Sequence, residues 1–237
     1  MLLDRAATLT TKINTYQKLK NSAAEAEQFG TRAKQFENAS LLVARLRETL
    51  TALADAGVPV DFEPSDGLGY ADKARMLREA IKEDPAKIND PPFDIKHAFI
   101  DRLGGIASAG HKAASAAWKD YVDKRATFGA DDVLSALGQV PQFRLSVAKI
   151  RQIRSEVATL GGSLPADPKG AIEKLDSLLS QHEAAWNALE ASDIPSSVVA
   201  FIRDAANSDA LLSAYTPEVQ GWLESRNLLG AFRIKLR

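Results

Sequence analysis

Apolar residues recur every seven positions in the N-terminal part of this chain, a spacing typical of a helix that lies against another helix. One series is made of Phe29, Phe36, Val43 and Leu50, and a second, three places on, of Ala39, Leu46 and Leu53. No residue between Thr31 and Ala56 breaks a helix. The sequence therefore predicts a long amphipathic helix of the coiled-coil type.

An earlier heptad series is offset from this one by a single position. It contains Leu2, Leu9, Tyr16 and Ala23. Gly30 lies where the two series meet, and a glycine inside a helix costs roughly 1 kcal/mol relative to alanine. Gly30 therefore marks either a kink within one helix or a turn between two, and we expect one bent helix.

Further helices are predicted along the rest of the chain, separated by segments rich in proline and glycine. They cover about 70–83, 94–125, 142–160, 168–191, 195–206 and 217–225, with shorter helices near 131 and 209. Their apolar faces are expected to bury Trp118, Trp186 and Trp222, with His182 at the boundary of one such face. Val58, Val60 and Phe62 alternate with other residues, which is the spacing of a short strand.

The expected fold class is all-α, a multi-helix bundle with a long N-terminal amphipathic helix and at most a minor two-stranded β element. We expect a helical arm over 1–56 and a bundle over 57–237, or one continuous domain that includes both. Four small residues spaced four apart within the 94–125 helix predict a close approach of two backbones. They are Gly105, Ala109, Ala113 and Ala117.

Composition restricts the classes of function. The absence of cysteine removes disulfides, thiolate nucleophiles and Cys-based metal sites. With 30 Lys plus Arg against 31 Asp plus Glu, attraction to nucleic acid would have to come from a local patch. No segment approaches the ~20 apolar residues of a membrane span, and Asp4 and Arg5 interrupt any apolar run of a secretory signal. We expect a cytoplasmic protein without membrane contact or cofactor.

Candidate catalytic motifs are sparse. Asp94, His97 and Asp101 share one helix face and would supply part of a metal site. Such a site recruits further ligands from a facing helix, and only two more histidines exist. We therefore interpret the three as a solvated polar face with Asp94 as the N-cap, leaving a metal hydrolase as a minor hypothesis. No P-loop or nucleophile elbow occurs, so we predict no enzyme and no metal.

A basic run provides the best nucleic-acid candidate. It consists of Arg144, Lys149, Arg151 and Arg154, with no acidic residue before Glu156. Arg144 and Arg151 also adjoin the apolar face of their helix, where long cationic side chains commonly cover a seam and pair with acids on a neighbour. We favour the structural interpretation, in which these side chains cover the seam and pair with acids on a neighbouring helix.

The C-terminal residues alternate in the manner of a strand. Phe232, Ile234 and Leu236 are separated by Arg233 and Lys235. Such a strand would pair with Val58–Phe62 or add to the sheet of another protein. A final helical turn that uses Leu228, Leu229 and Phe232 is the third alternative.

These patterns favour a non-catalytic helical interaction or scaffold subunit that assembles with itself or with a larger protein complex. The residues expected to bind the partner are Phe29, Phe36, Val43, Leu46, Leu50, Leu53, Phe232, Ile234 and Leu236. If the N-terminal seam folds back on its own bundle, its residues are core instead. The alternative function is a nucleic-acid-associated accessory factor of a bacterial DNA-handling or defence complex, acting through the basic run.

Overall fold

The structure, a computed structural model, describes residues 2–65, 67–84, 87, 93, 95–129, 131–190, 194–207 and 210–232. All regular secondary structure in these residues is helical. The all-α fold class predicted from the sequence is therefore confirmed.

The helices follow the predicted order closely. Those of the α type are α1 (Leu2–Asp55), α2 (Gly67–Glu83), α3 (Asp101–Arg125), α4 (Asp132–Leu137), α5 (Arg144–Gly161), α6 (Pro168–Glu190), α7 (Ser196–Asn207) and α8 (Pro217–Ser225). A π-helical segment, Ile95–Ile100, leads directly into α3. Short 3-10 turns occupy Pro141–Phe143, Leu212–Ala214 and Leu229–Ala231. Because α1 runs through Gly30 without interruption, the prediction of one helix there is confirmed.

The chain forms two compact units. The first contains residues 1–49 and 61–112, and the second contains residues 50–60 and 113–237. Because α1 and α3 both continue past these boundaries, each of the two helices contributes a segment to both units. The first unit thus joins most of the predicted arm to residues that follow position 56.

The core of the first unit is small and aromatic. Leu77 of α2 is buried with Ile95 and Phe99 of the π-helical segment. Phe36 of α1 contacts Phe99 edge-on with ring centroids 6.2 Å apart, and Tyr70 does so at 5.3 Å. These contacts fasten α2 and the π-helical segment to α1.

The backbone of α3 approaches a neighbour closely at Gly110. A Cβ atom there would lie 2.6 Å from Leu46 Cδ2 and 3.0 Å from Phe62 Cε1, whereas a Cβ at Gly105 would meet nothing within 4 Å. Gly105 and Ala109 are exposed. The predicted close approach is therefore wrong for the first two residues of the stripe and lies instead at Gly110, one position after Ala109, whereas Ala117 packs against the core of the second unit.

The core of the second unit is larger. Its most completely buried side chains include Trp118, Trp186, Phe143, Leu53, Leu134, Ile150, Ile153, Leu175, Leu223, Val58, Val122 and Val147. The Trp118 indole also donates a hydrogen bond to the Leu160 carbonyl at 2.9 Å. The tryptophans predicted as core residues are buried, which confirms that interpretation.

Residues 58–62 do not form a strand, which corrects the sequence prediction. Gly57 adopts a φ of 81°, and the Val58 N–H donates to the Leu53 carbonyl at 2.8 Å. This is a Schellman cap, in which the first residues after a helix satisfy its last carbonyls. Val58 is buried in the same cluster as Leu53, so its apolar character serves the end of α1.

Candidate interaction site

Among the described residues, a long exposed stretch of helix lies near the beginning of α1. Every side chain described between Lys12 and Gln28 is exposed. Two of them are large and apolar: Ile13 is 48% exposed and Tyr16 is 69% exposed. We call residues 12–28 the N-terminal segment. The sequence reasoning did not select Ile13, although it precedes Tyr16 by three residues and so shares its helix face.

Further along α1, part of the predicted heptad seam is covered by the chain itself. Leu46 is 7% exposed and Leu53 is fully buried, while Val43 and Leu50 are half-buried. Leu46 contacts α3 at Gly110. Leu46 and Leu53 are therefore core residues, which is the alternative expected for a seam that folds back, and their prediction as partner-binding residues is corrected.

The first residues of the predicted seam are less exposed than Ile13 and Tyr16 but more exposed than Leu46 and Leu53. Phe29 and Phe36 are both half-buried, and Phe36 packs on the core of the first unit. Phe29 therefore lies at the transition from the covered part of α1 to the exposed N-terminal segment. As a partner-binding residue, Phe29 stays a prediction.

The predicted C-terminal strand is only partly within the described residues. Phe232 has an extended backbone and is half-buried, with its ring 5.4 Å from that of Phe201. Ile234 and Leu236 lie outside the described residues. Phe232 thus contacts its own unit.

Two members of the basic run are engaged within the second unit. The Arg151 guanidinium donates to both carboxylate oxygens of Asp131, at 2.8 and 3.3 Å, and to the Ser135 hydroxyl at 2.6 Å. Arg144 and Lys149 are exposed. Arg151 therefore ties α5 to the beginning of α4, as expected for a cation that pairs with an acid on a neighbour.

Arg154 has a still more structural position. Its guanidinium donates to the Gly129 carbonyl at 3.3 Å, the Ala206 carbonyl at 3.0 Å and the Asn207 side-chain oxygen at 3.1 Å. It also lies 5.0 Å from the centre of the Phe128 ring. Burial lowers the pKa of Arg154 from its ordinary value. Because it bonds to carbonyls at the end of α7, Arg154 acts as a side-chain cap for that helix.

Replacement of Arg154 should therefore affect stability. We expect Arg154→Gln to lower the free energy of unfolding by about 1.5 kcal/mol, because three hydrogen bonds of the guanidinium are lost. Lys149→Gln is the matched control and should stay within about 0.5 kcal/mol of the wild type. Urea denaturation monitored by circular dichroism measures both. Equal stability of the two variants would contradict the structural role of Arg154.

Two of the three candidate metal-ligating residues, His97 and Asp101, lie within the described residues. The His97 ring nitrogen Nδ1 lies 2.8 Å from a carboxylate oxygen of Asp101, and both side chains are largely exposed. Asp94 lies outside the described residues. Within the ranges that are described, no group of three or more potential metal ligands is found.

Two further observations concern the chain as a whole. None of the described helices combines the length and the apolar character needed to cross a bilayer. Comparison with known proteins gives no relative: no family model matches the sequence, and neither a curated protein nor a solved structure matches the chain.

Proposed function

We propose that this protein is a non-catalytic interaction subunit that pairs with a helix of another molecule through the N-terminal segment. The observation that supports the proposal is the exposure of every described side chain between Lys12 and Gln28, in a helix that continues to Asp55. In proteins, most of the stability of a helix comes from the packing of one face against other elements rather than from helix propensity. A second helix would supply that packing.

The apolar side chains of the N-terminal segment provide the contact. Ile13 and Tyr16 occupy adjacent turns of one face, and the half-buried Phe29 follows later in α1. Burial of apolar surface contributes roughly 25 cal/mol per Å², and aromatic side chains are enriched among the residues that dominate interfaces. A helix laid along this face would cover Ile13 and Tyr16, whereas Phe29 lies about 160° around the helix from Ile13.

The charges of the N-terminal segment favour a second copy of the same chain in antiparallel orientation. Lys12 lies at its beginning, Lys20 at its middle and Glu27 towards its end. In an antiparallel pair in which Lys20 of one copy faces Glu27 of the other, opposite charges lie close together, whereas a parallel pair aligned in register brings like charges together. Assembly with a larger protein complex is the alternative.

The test compares the association of surface variants. Sedimentation velocity of the wild type should show a dimer. The dissociation constant of the dimer should be at least about tenfold higher for the double variant Ile13→Asp with Tyr16→Asp than for the wild type. Because both side chains are exposed, the melting temperature should not change at a protein concentration at which the wild type is also monomeric. Leu145→Asp is the matched control, since Leu145 is 88% exposed and lies on α5.

The orientation of the two copies can be measured with introduced cysteines, because the chain itself contains none. A mixture of Lys20→Cys and Glu27→Cys proteins should form mainly the mixed disulfide if the pair is antiparallel. Preferential formation of each homodisulfide would instead indicate a parallel pair. A wild type that is monomeric, and that binds no partner in a manner dependent on Ile13 and Tyr16, would contradict the proposed function.

A further inference from the structure

Two further exposed apolar residues lie on α1 beyond the N-terminal segment. They are Leu41, which is 51% exposed, and Leu42, which is 48% exposed. Both belong to the part of α1 in the first unit, and neither packs on the core of that unit. We call Leu41 and Leu42 the distal patch. Of the nine large apolar side chains that are exposed in the described residues, four therefore lie on this one helix.

The distal patch lies on the same face of α1 as Ile13 and Tyr16. At about 100° per residue, Leu42 is within about 20° of Ile13 around the helix axis. Leu41 is within about 20° of Tyr16 by the same reckoning. The helix is continuous between them, and the two pairs are separated by roughly 40 Å along its axis. A partner that covers both pairs must therefore be a long helix.

The charges that favour an antiparallel pair of copies lie between the two patches on the same face. Lys20 is within about 20° of Ile13, Glu27 is within about 40° of it, and both charged side chains are exposed. Where Lys20 of one copy faces Glu27 of the other, the register of the whole pair is determined. In that register, residues 38–45 of one copy face residues 2–9 of the other.

The sequence of residues 2–9 suits a contact with the distal patch. In this register Leu41 faces Ala6, with Leu2 and Leu9 about one turn away on either side. Leu2 and Leu9 are seven residues apart, which is the heptad spacing of a helix seam. A leucine opposite an alanine that is flanked by leucines matches the knobs-into-holes packing of paired helices.

We propose that residues 2–9 of a second copy cover the distal patch, so that the antiparallel pair extends over residues 2–45 of each chain. This inference rests on the proposed function, and it names the surface that each copy presents to the other. Two-fold symmetry repeats the contact at both ends of the pair. Apolar burial at the ends supplies affinity, while the pairing of Lys20 with Glu27 near the centre selects orientation and register.

Charged substitutions in the distal patch test the contact. In sedimentation velocity of the full chain, Leu41→Asp with Leu42→Asp should raise the dissociation constant of the dimer at least about tenfold. Ser40→Asp with Ala44→Asp adds the same charge at exposed positions on another side of α1, and should stay within about threefold of the wild type. A dimer that the distal-patch variant leaves intact would overturn this inference but not the proposed function. A monomeric wild type would overturn this inference as well.

Introduced cysteines test the register. A mixture of Leu9→Cys and Asn38→Cys proteins should form mainly the mixed disulfide, because these positions face each other when Lys20 faces Glu27. Leu9→Cys with Ser40→Cys is the matched control and should form little, since Ser40 lies about 160° around the helix from Asn38. Mixed disulfides between positions 20 and 27 without any between 9 and 38 would contradict the inference while supporting an antiparallel pair.

Discussion

Trp118→Ala is expected to lower the free energy of unfolding by about 4 kcal/mol, the largest effect of any single substitution considered for this protein. Trp118 is fully buried in the core of the second unit, where it stacks on Tyr121 at a centroid distance of 5.9 Å. Its truncation leaves a large cavity and removes the hydrogen bond to the Leu160 carbonyl. Urea denaturation followed by circular dichroism measures the loss as a lower midpoint.

A pair of conservative variants separates the indole hydrogen bond from packing. Trp118→Phe should cost more than Trp222→Phe, because the Trp118 N–H is bonded whereas the Trp222 N–H is buried and has no partner among the described residues. Loss of a satisfied donor leaves its acceptor unpaired, whereas loss of an unsatisfied donor removes a penalty. A Trp118→Ala protein within about 1 kcal/mol of the wild type would contradict this description of the core.

The helices were predictable because their signals are local. In the sequence, Asp167 before Pro168 is typical of an N-cap residue followed by the first residue of a helix. In the structure, the Gly170 N–H donates to the Asp167 carboxylate at 3.1 Å. Thr216 before Pro217 does the same, since its hydroxyl accepts from the Val219 N–H. Such contacts lie within one turn, so the sequence alone contains both partners.

Predictions that depended on distant contacts were less accurate. The four-residue spacing found small residues on α3, yet whether Gly105 or Gly110 meets a neighbour depends on where Leu46 arrives. Alternation at Val58 and Val60 was equally compatible with a strand and with a helix cap. This second error did not depend on a distant contact, because the Val58 N–H donates to the Leu53 carbonyl only five residues earlier.

The candidate interaction site shows the same division. Heptad spacing identified the seam of α1, but spacing is identical for a helix that packs on its own chain and for one that packs on another. Leu53 packs on its own chain, whereas Tyr16 is exposed. Which part of the seam is covered is decided by contacts such as that between Leu46 and Gly110, which are remote in sequence.

His182 on α6 is another residue whose environment the sequence did not reveal. Predicted at the boundary of an apolar face, it is only 7% exposed. The Phe128 ring lies 4.8 Å from it, and the Trp186 indole N–H donates to its Nε2 at 3.4 Å. Burial lowers the pKa of His182 to about 4, and the nearby charge of Arg154 acts in the same direction. The folded protein therefore holds this imidazole neutral.

Acidification should consequently destabilise the protein through His182. Above pH 6.5, the ordinary pKa of histidine, the side chain is neutral in both states and its contribution to stability is fully present. As the pH falls from 6.5 towards 4, the unfolded chain binds a proton that the folded chain does not, so the free energy of unfolding decreases. The expected loss between pH 7 and pH 4 is about 3 kcal/mol from this group alone.

The measurement that isolates His182 compares pH profiles, because carboxylates also titrate at the acidic end. Urea denaturation of the wild type and of His182→Gln should be performed between pH 7 and pH 4, where the glutamine keeps an acceptor for the Trp186 N–H but gains no charge. The variant should lose less stability over this interval than the wild type. His111→Gln, at an exposed position on α3, should follow the wild-type profile. Parallel profiles for the wild type and His182→Gln would show that the imidazole is protonated in the folded protein, contrary to its buried position.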